Sequence, residues 1–82
     1  MKKRFRYVKV LDFRGEECPH PLVKTVRELS KARKGEEIIV LTTSKLCVDM
    51  IKESVEAFNI GEINICEKNG YYEIRLRKTV EF

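Results

Sequence analysis

The sequence predicts an α+β two-layer sandwich of order βαβαββ, a four-stranded mixed sheet with two helices on one face. Three observations predict it. Apolar residues recur at steps of three and four in two separate segments. Short runs of β-branched and aromatic residues precede each of those segments, and the last third of the chain alternates apolar with polar residues around an Asn-Gly turn. With 82 residues the chain holds one domain, spanning 1–82, with one core.

The first strand is read over about Phe5 to Phe13, where Val8, Val10, Leu11 and Phe13 stand among charges, and Gly15 then turns the chain. After Cys18 the period changes. Leu22, Val26, Leu29 and Ala32 form a helical stripe, with Lys24, Arg27, Glu28 and Lys31 on the other faces. Cys18 suits the flanking cap of that helix, Pro19 its first residue, where a missing N–H costs nothing, and Gly35 its end. "EEIIVLTT" reads as a buried, central second strand. Ser44 can cap the next helix, whose stripe is Val48, Ile51, Val55 and Phe58 before the Asn59–Gly61 stop. Ile63 and Ile65 begin the third strand, Asn69-Gly70 signals a hairpin, and Tyr72, Ile74 and Leu76 alternate with Glu73, Arg75 and Arg77. Cys66 falls in a strand, where a packing role is expected. A right-handed crossover puts both helices on one face, leaving the other to charged cover from Arg75 and Arg77 or to a partner.

Composition narrows the function. With 43% hydrophobic and 37% charged residues the chain is globular rather than disordered. Three cysteines at irregular spacing do not form the disulfide framework of a small secreted domain, so a reducing compartment, the cytoplasm, is expected. Lys9 and Asp12 interrupt any apolar leader, and no stretch is long enough for membrane insertion. The net charge of +4 comes from Lys2, Lys3, Arg4 and Arg6 at one end and Arg75, Arg77 and Lys78 at the other. Acidic residues are interspersed elsewhere and no nucleic-acid motif is present, so direct nucleic-acid binding is not expected.

Cys18 is the residue placed for chemistry. A helix N-terminus presents unpaired N–H groups and about half a positive charge, which favours a thiolate over a thiol. Pro19 and Pro21 stiffen the junction, whereas Glu16 and Glu17 oppose ionisation. Two readings of Cys18 stand on placement, an activated nucleophile and a small buried hydrophobe. Dithiol redox chemistry is disfavoured, because the C-x-x-C spacing that lets one sulfur resolve the other is absent: Pro21 stands three residues on. His20 reads as an exposed helix-start residue, and Cys18, His20 and the distant cysteines have no recognised metal-ligand spacing, so no metal and no cofactor are expected.

The stretch "LDFRGEECPHP", Leu11 to Pro21, resembles the Leu-Asp-x-x-Gly-x-x-Cys-Pro-x-Pro signature of the TusA (SirA-like) family of small sulfur-carrier proteins. The likeness runs on to Lys78 through Gly35-Glu36 and Asp49. It implies a βαβαββ fold and a sulfur relay of sulfurtransferase type, as in tRNA thiolation or another sulfur-trafficking pathway. Cys18 would carry a sulfane sulfur as a persulfide, Pro19 and Pro21 would set the helix start, and Gly15 would set the turn. The implied partners are a sulfur-donor protein, a cysteine desulfurase or rhodanese-like protein, and a sulfur-acceptor protein. Two positions depart from the family: Glu16 replaces an apolar residue, and "TTSK" replaces an Asp-Asp-Pro segment. Topology adds one expectation of its own. If the first two strands run parallel, both helices start at the same sheet edge, which brings Cys47 near Cys18 as a second thiol able to resolve a persulfide or form a reversible disulfide, ordinary packing being the alternative. The competing function is a non-catalytic regulatory or RNA-binding module of the same fold.

Overall fold

A computed structural model of the chain describes residues 8–80. The first part of the predicted strand, Phe5 to Tyr7, and the basic group Lys2, Lys3, Arg4 and Arg6 lie outside the described residues. The elements are β1 (Val8–Asp12), α1 (His20–Lys31), β2 (Glu37–Thr42), α2 (Lys45–Phe58), β3 (Gly61–Glu67) and β4 (Tyr72–Lys78), the predicted order. Strands pair as β1-β2-β4-β3, with β1 and β2 parallel and both contacts of β4 antiparallel. β2 is therefore central, as its apolar run implies.

Alternation in the strands decides which face is covered. Leu11 in β1, Ile38 and Val40 in β2, and Ile74 and Leu76 in β4 are buried, and meet Leu29 of α1 and Val48, Ile51 and Val55 of α2 in one core. Each such side chain contributes about 1.5–3 kcal/mol when fully buried, which is the main stabilising term. The opposite face is divided. On its β3–β4 half Arg75 lies 3.7 Å from Glu37 and 3.4 Å from Glu73, and Arg77 lies 2.9 Å from Glu62. On its β1–β2 half Val10 is exposed and Ile39 and Leu41 are half-buried, so the arginines cover only part of that face.

Away from the Cys18–Pro19 junction, four sequence expectations change. The buried line of α1 runs through Pro21, Thr25, Glu28 and Leu29, while Leu22 and Val26 are only half-buried. The helix is rolled so that the Glu28 carboxylate accepts a 2.7 Å hydrogen bond from Lys9 Nζ on β1, and small Thr25 faces the core. Gly35 is not the helix end. Ala32 caps α1, and Gly35 lies beyond it, donating its N–H to Lys78 O at 2.8 Å. Phe58 is 68% exposed, because Asn59 takes the left-handed conformation and swings Ile60 into the core in its place. Cys66 is exposed rather than packed: it shares the open face with Glu62 and Asn64, opposite in phase to Ile63 and Ile65.

At the far end of α1 the side chain of Lys78, buried in β4, donates from Nζ to Leu29 O at 2.8 Å, Ser30 O at 3.2 Å and Ala32 O at 2.9 Å. A cation there satisfies the last carbonyls of the helix and opposes the negative end of its dipole. Lys78 thereby fixes the end of α1 opposite to the one that carries Cys18.

Candidate functional site

The parallel pairing of β1 and β2 sends the chain into both helices from the same edge of the sheet. Both connections are short and tied to each other. Phe13 N–H donates to Leu41 O at 2.7 Å, Glu16 N–H closes a turn on Phe13 O at 3.0 Å, and Gly15 N–H donates to Thr43 Oγ1 at 3.0 Å. Gly15 has φ of +87°, a region where a side chain brings strain, so the turn requires glycine there although space around it is open. Before the turn, Asp12 accepts from the Arg14 guanidinium at 2.9 and 2.8 Å and from Arg14 N–H at 3.1 Å. These bonds hold the Asp12 carboxyl below the usual aspartate range, and the guanidinium stacks 5.1 Å from the centre of the Tyr71 ring.

The chain then reaches Cys18, which is half-buried, and the Cys18–Pro19 peptide is cis. Pro19, not Cys18, is the N-cap of α1. Its carbonyl accepts Val23 N–H at 3.0 Å, and Pro21 occupies the second helical position, so Cys18 stands one residue outside the helix. Proline tolerates these places because first-turn N–H groups have no partner inside the helix. The two prolines also remove donors, leaving His20 and Leu22 to supply the N–H groups of the first turn. Neither helix has an acidic residue in its first turn. Glu16, expected to oppose ionisation, has its Oε1 2.8 Å from His20 Nδ1, and His20 packs edge-on to Phe13 with ring centres 6.0 Å apart. His20 itself is exposed at the helix start, as read from the sequence.

α2 begins at Ser44, whose Oγ accepts Cys47 N–H at 3.3 Å. Cys47 is the third residue of that helix and is 0% exposed. Cys18 and Cys47 are joined in a disulfide with Cα atoms 5.5 Å apart. Two helix N-termini thus converge on one sulfur pair, half-exposed on the α1 side and sealed on the α2 side. Val23 of α1 and Leu46 of α2 leave exposed apolar side chains on the early turns of the same helices, 56% and 61% accessible. The arrangement is suited to thiol exchange at Cys18. Among the described residues no group of three or more His, Cys, Asp or Glu could hold a metal ion.

Sequence reasoning brought Gly15, Cys18, Pro19, Pro21 and Cys47 into one neighbourhood, and the structure places them there. It missed Thr43, Arg14 and Asp12 as the fastenings of the loop. The Asp-x-Arg spacing carried a signal, because a side chain two residues on can return to a turn aspartate. Thr43 carried none, since its partner Gly15 lies 28 residues away.

A family model described as Sulfurtransferase TusA matches residues 9–78. A protein of Thermotoga maritima described as a candidate sulfur carrier protein is 31% identical over 77 residues, covering 88% of this chain and 98% of its own length. A protein of Archaeoglobus fulgidus with the same description is 28% identical over 69 residues, covering 84% and 94%. The crystal structure of a SirA-like protein from Desulfitobacterium hafniense matches with a TM-score of 0.78 at 20% identity, covering 89% of this chain and 99% of that one, which shows the shared fold.

Proposed function

We propose, from the premise that the chain belongs to the TusA sulfurtransferase family, that it carries sulfane sulfur as a persulfide on Cys18 between two partner proteins. The observation that supports this most is the position of the signature cysteine: half-exposed, at the mouth of α1 and beside the N-terminus of α2. The reduced form does the work. The Cys18 thiolate attacks the terminal sulfur of a donor persulfide, the donor's thiolate leaves, and the sulfur rides on Cys18 Sγ. An acceptor thiolate then attacks that outer sulfur and Cys18 leaves as thiolate. Each step exchanges one sulfur–sulfur bond for another, with no net oxidation and no cofactor. The helix dipoles stabilise Cys18 both as attacking and as leaving thiolate, so the same electrostatics serve loading and delivery.

Gly15, Pro19 and Pro21 hold the loop that presents Cys18, and the donor is a cysteine desulfurase or a rhodanese-like protein. The acceptor stands in tRNA thiolation or another sulfur-trafficking route of the cytoplasm, where a transient disulfide at a reactive site is compatible with a reducing milieu. Among the described residues no helix is long and apolar enough to cross a membrane. The RNA-binding alternative gains nothing from β4, since Arg75 and Arg77 are both paired with glutamates.

The test is intact-mass measurement of the reduced protein after incubation with a cysteine desulfurase and cysteine. The wild type gains one sulfur atom and Cys18→Ala does not. An equal gain in Cys18→Ala overturns the proposal.

A further inference from the structure

We propose that Cys47 is the resolving thiol of Cys18: it discharges a sulfane sulfur held on Cys18 as hydrosulfide and closes the Cys18–Cys47 disulfide. The inference rests on the persulfide reading and adds a second fate for the cargo.

Three features of the pair carry it. The Cα atoms are 5.5 Å apart, inside the range of about 4.4–6.8 Å that a disulfide requires, so the fold itself holds the two sulfurs within bonding reach. Exposure separates their roles: Cys18 is half-buried and within reach of another protein, whereas Cys47 is 0% exposed and can act only on what Cys18 already holds. Cys47 also occupies the third position of α2, where its own N–H is taken by Ser44 Oγ and the helix end favours an anion.

The step balances without an outside oxidant. The Cys47 thiolate attacks Cys18 Sγ, the inner sulfur, and the bond from Sγ to the outer sulfur breaks. The outer sulfur leaves with the electron pair as hydrosulfide. It is reduced from the sulfane to the sulfide level while the two cysteine sulfurs are oxidised to the disulfide. A dithiol reductant then attacks the accessible sulfur, Cys18 Sγ, releases the Cys47 thiolate, and leaves as its own disulfide after a second exchange. An acceptor that attacks the outer sulfur first receives sulfane sulfur. Cargo that no acceptor claims departs as sulfide.

The experiment uses the reduced, desalted protein in a Cys66→Ser background, which removes the exposed third thiol, loaded with one equivalent of glutathione persulfide. Intact mass and released sulfide are followed together. The parent gains one sulfur transiently, then becomes two hydrogens lighter than the reduced protein while releasing one sulfide per chain. Cys47→Ser and Cys47→Ala, checked for native circular dichroism, keep the added sulfur on Cys18 at least about tenfold longer and form no intramolecular disulfide. Equal lifetimes in parent and both variants overturn the resolving role and leave the carrier reading intact. Failure of the Cys47 variants to take up any sulfur on Cys18 overturns the carrier reading, and the resolving role with it.

Discussion

Reducing the Cys18–Cys47 bond lowers the stability of the fold by an amount set chiefly by the length of chain it closes. The cysteines are 29 residues apart, and the chain-entropy relation for such a loop gives about 12 cal/mol/K, or about 3.6 kcal/mol near room temperature. Packing changes little in the folded state, because the buried Cys47 thiol remains a small apolar group in its place. For a domain of this size about 1 kcal/mol corresponds to roughly 4–8 °C in Tm, so reduction lowers Tm by roughly 15–30 °C. Urea unfolding followed by circular dichroism, with the redox state fixed by intact mass and Cys66→Ser used to prevent bonds between chains, measures it. A difference below about 1 kcal/mol between the two forms refutes the reasoning, for the loop would then be held together in the unfolded chain by something other than the bond. Domains of this kind have about 5–15 kcal/mol in total, so the reduced form still folds, with less in reserve than the oxidised one.

Lys78→Met keeps the length of the stem and removes the bonds to three carbonyls of α1. Because Leu29 O keeps Ala32 N–H and two of the three acceptors can reach water, the cost is about 2–3 kcal/mol in urea unfolding at constant redox state. A loss within about 0.5 kcal/mol shows instead that burying the ammonium offsets its bonds. Thr25→Val replaces a buried hydroxyl that has no hydrogen-bond partner with a methyl of similar size, and raises stability by about 1 kcal/mol on the same assay; destabilisation contradicts the assignment. The hydrogen bond from Lys9 lowers the Glu28 carboxyl below its usual range, burial opposes this, and the charges of Lys9, Lys31 and Lys24 add to it. The unfolded chain therefore takes up that proton at a higher pH than the folded one. The contribution is present above the ordinary glutamate range of about 4.3 and fades as pH falls from there through the depressed folded value. Lys9→Met makes acid unfolding curves less steep in pH across that interval, and an unchanged slope counts against the pair.

The fold was legible where one local rule governed one element. The 3.6-residue stripes, the Ser44 cap, the Asn69-Gly70 turn, closed by Lys68 N–H on Tyr71 O at 2.7 Å, and the alternation of β4 all act within a few residues. The meeting of Cys18 and Cys47 was also legible, since a parallel crossover places both helix starts at one edge whatever the side chains do. What escaped was decided at long range. The roll of α1 follows Glu28 to Lys9 on another element, and the alternation Tyr72, Ile74, Leu76 puts Lys78 on the core face without revealing that its partners lie 46 to 49 residues earlier. Cys66 was different: the period of β3 already placed it opposite Ile63 and Ile65, so its exposure could have been read from the strand itself. At the start of α1 Cys18 and Pro19 competed for one cap, and only the carbonyl that accepts Val23 N–H distinguishes Pro19 from Cys18.

In the proposed relay, dipoles rather than access make Cys18 the reactive sulfur, and Cys66 supplies the internal control because it is exposed near the end of β3 and heads no helix. Limited alkylation of the fully reduced protein with iodoacetamide at neutral pH, read by peptide mass, compares the two in one molecule. Half-buried Cys18 is expected to be labelled before exposed Cys66. Labelling of Cys66 first, with Cys18 trailing in proportion to its smaller accessibility, would contradict it.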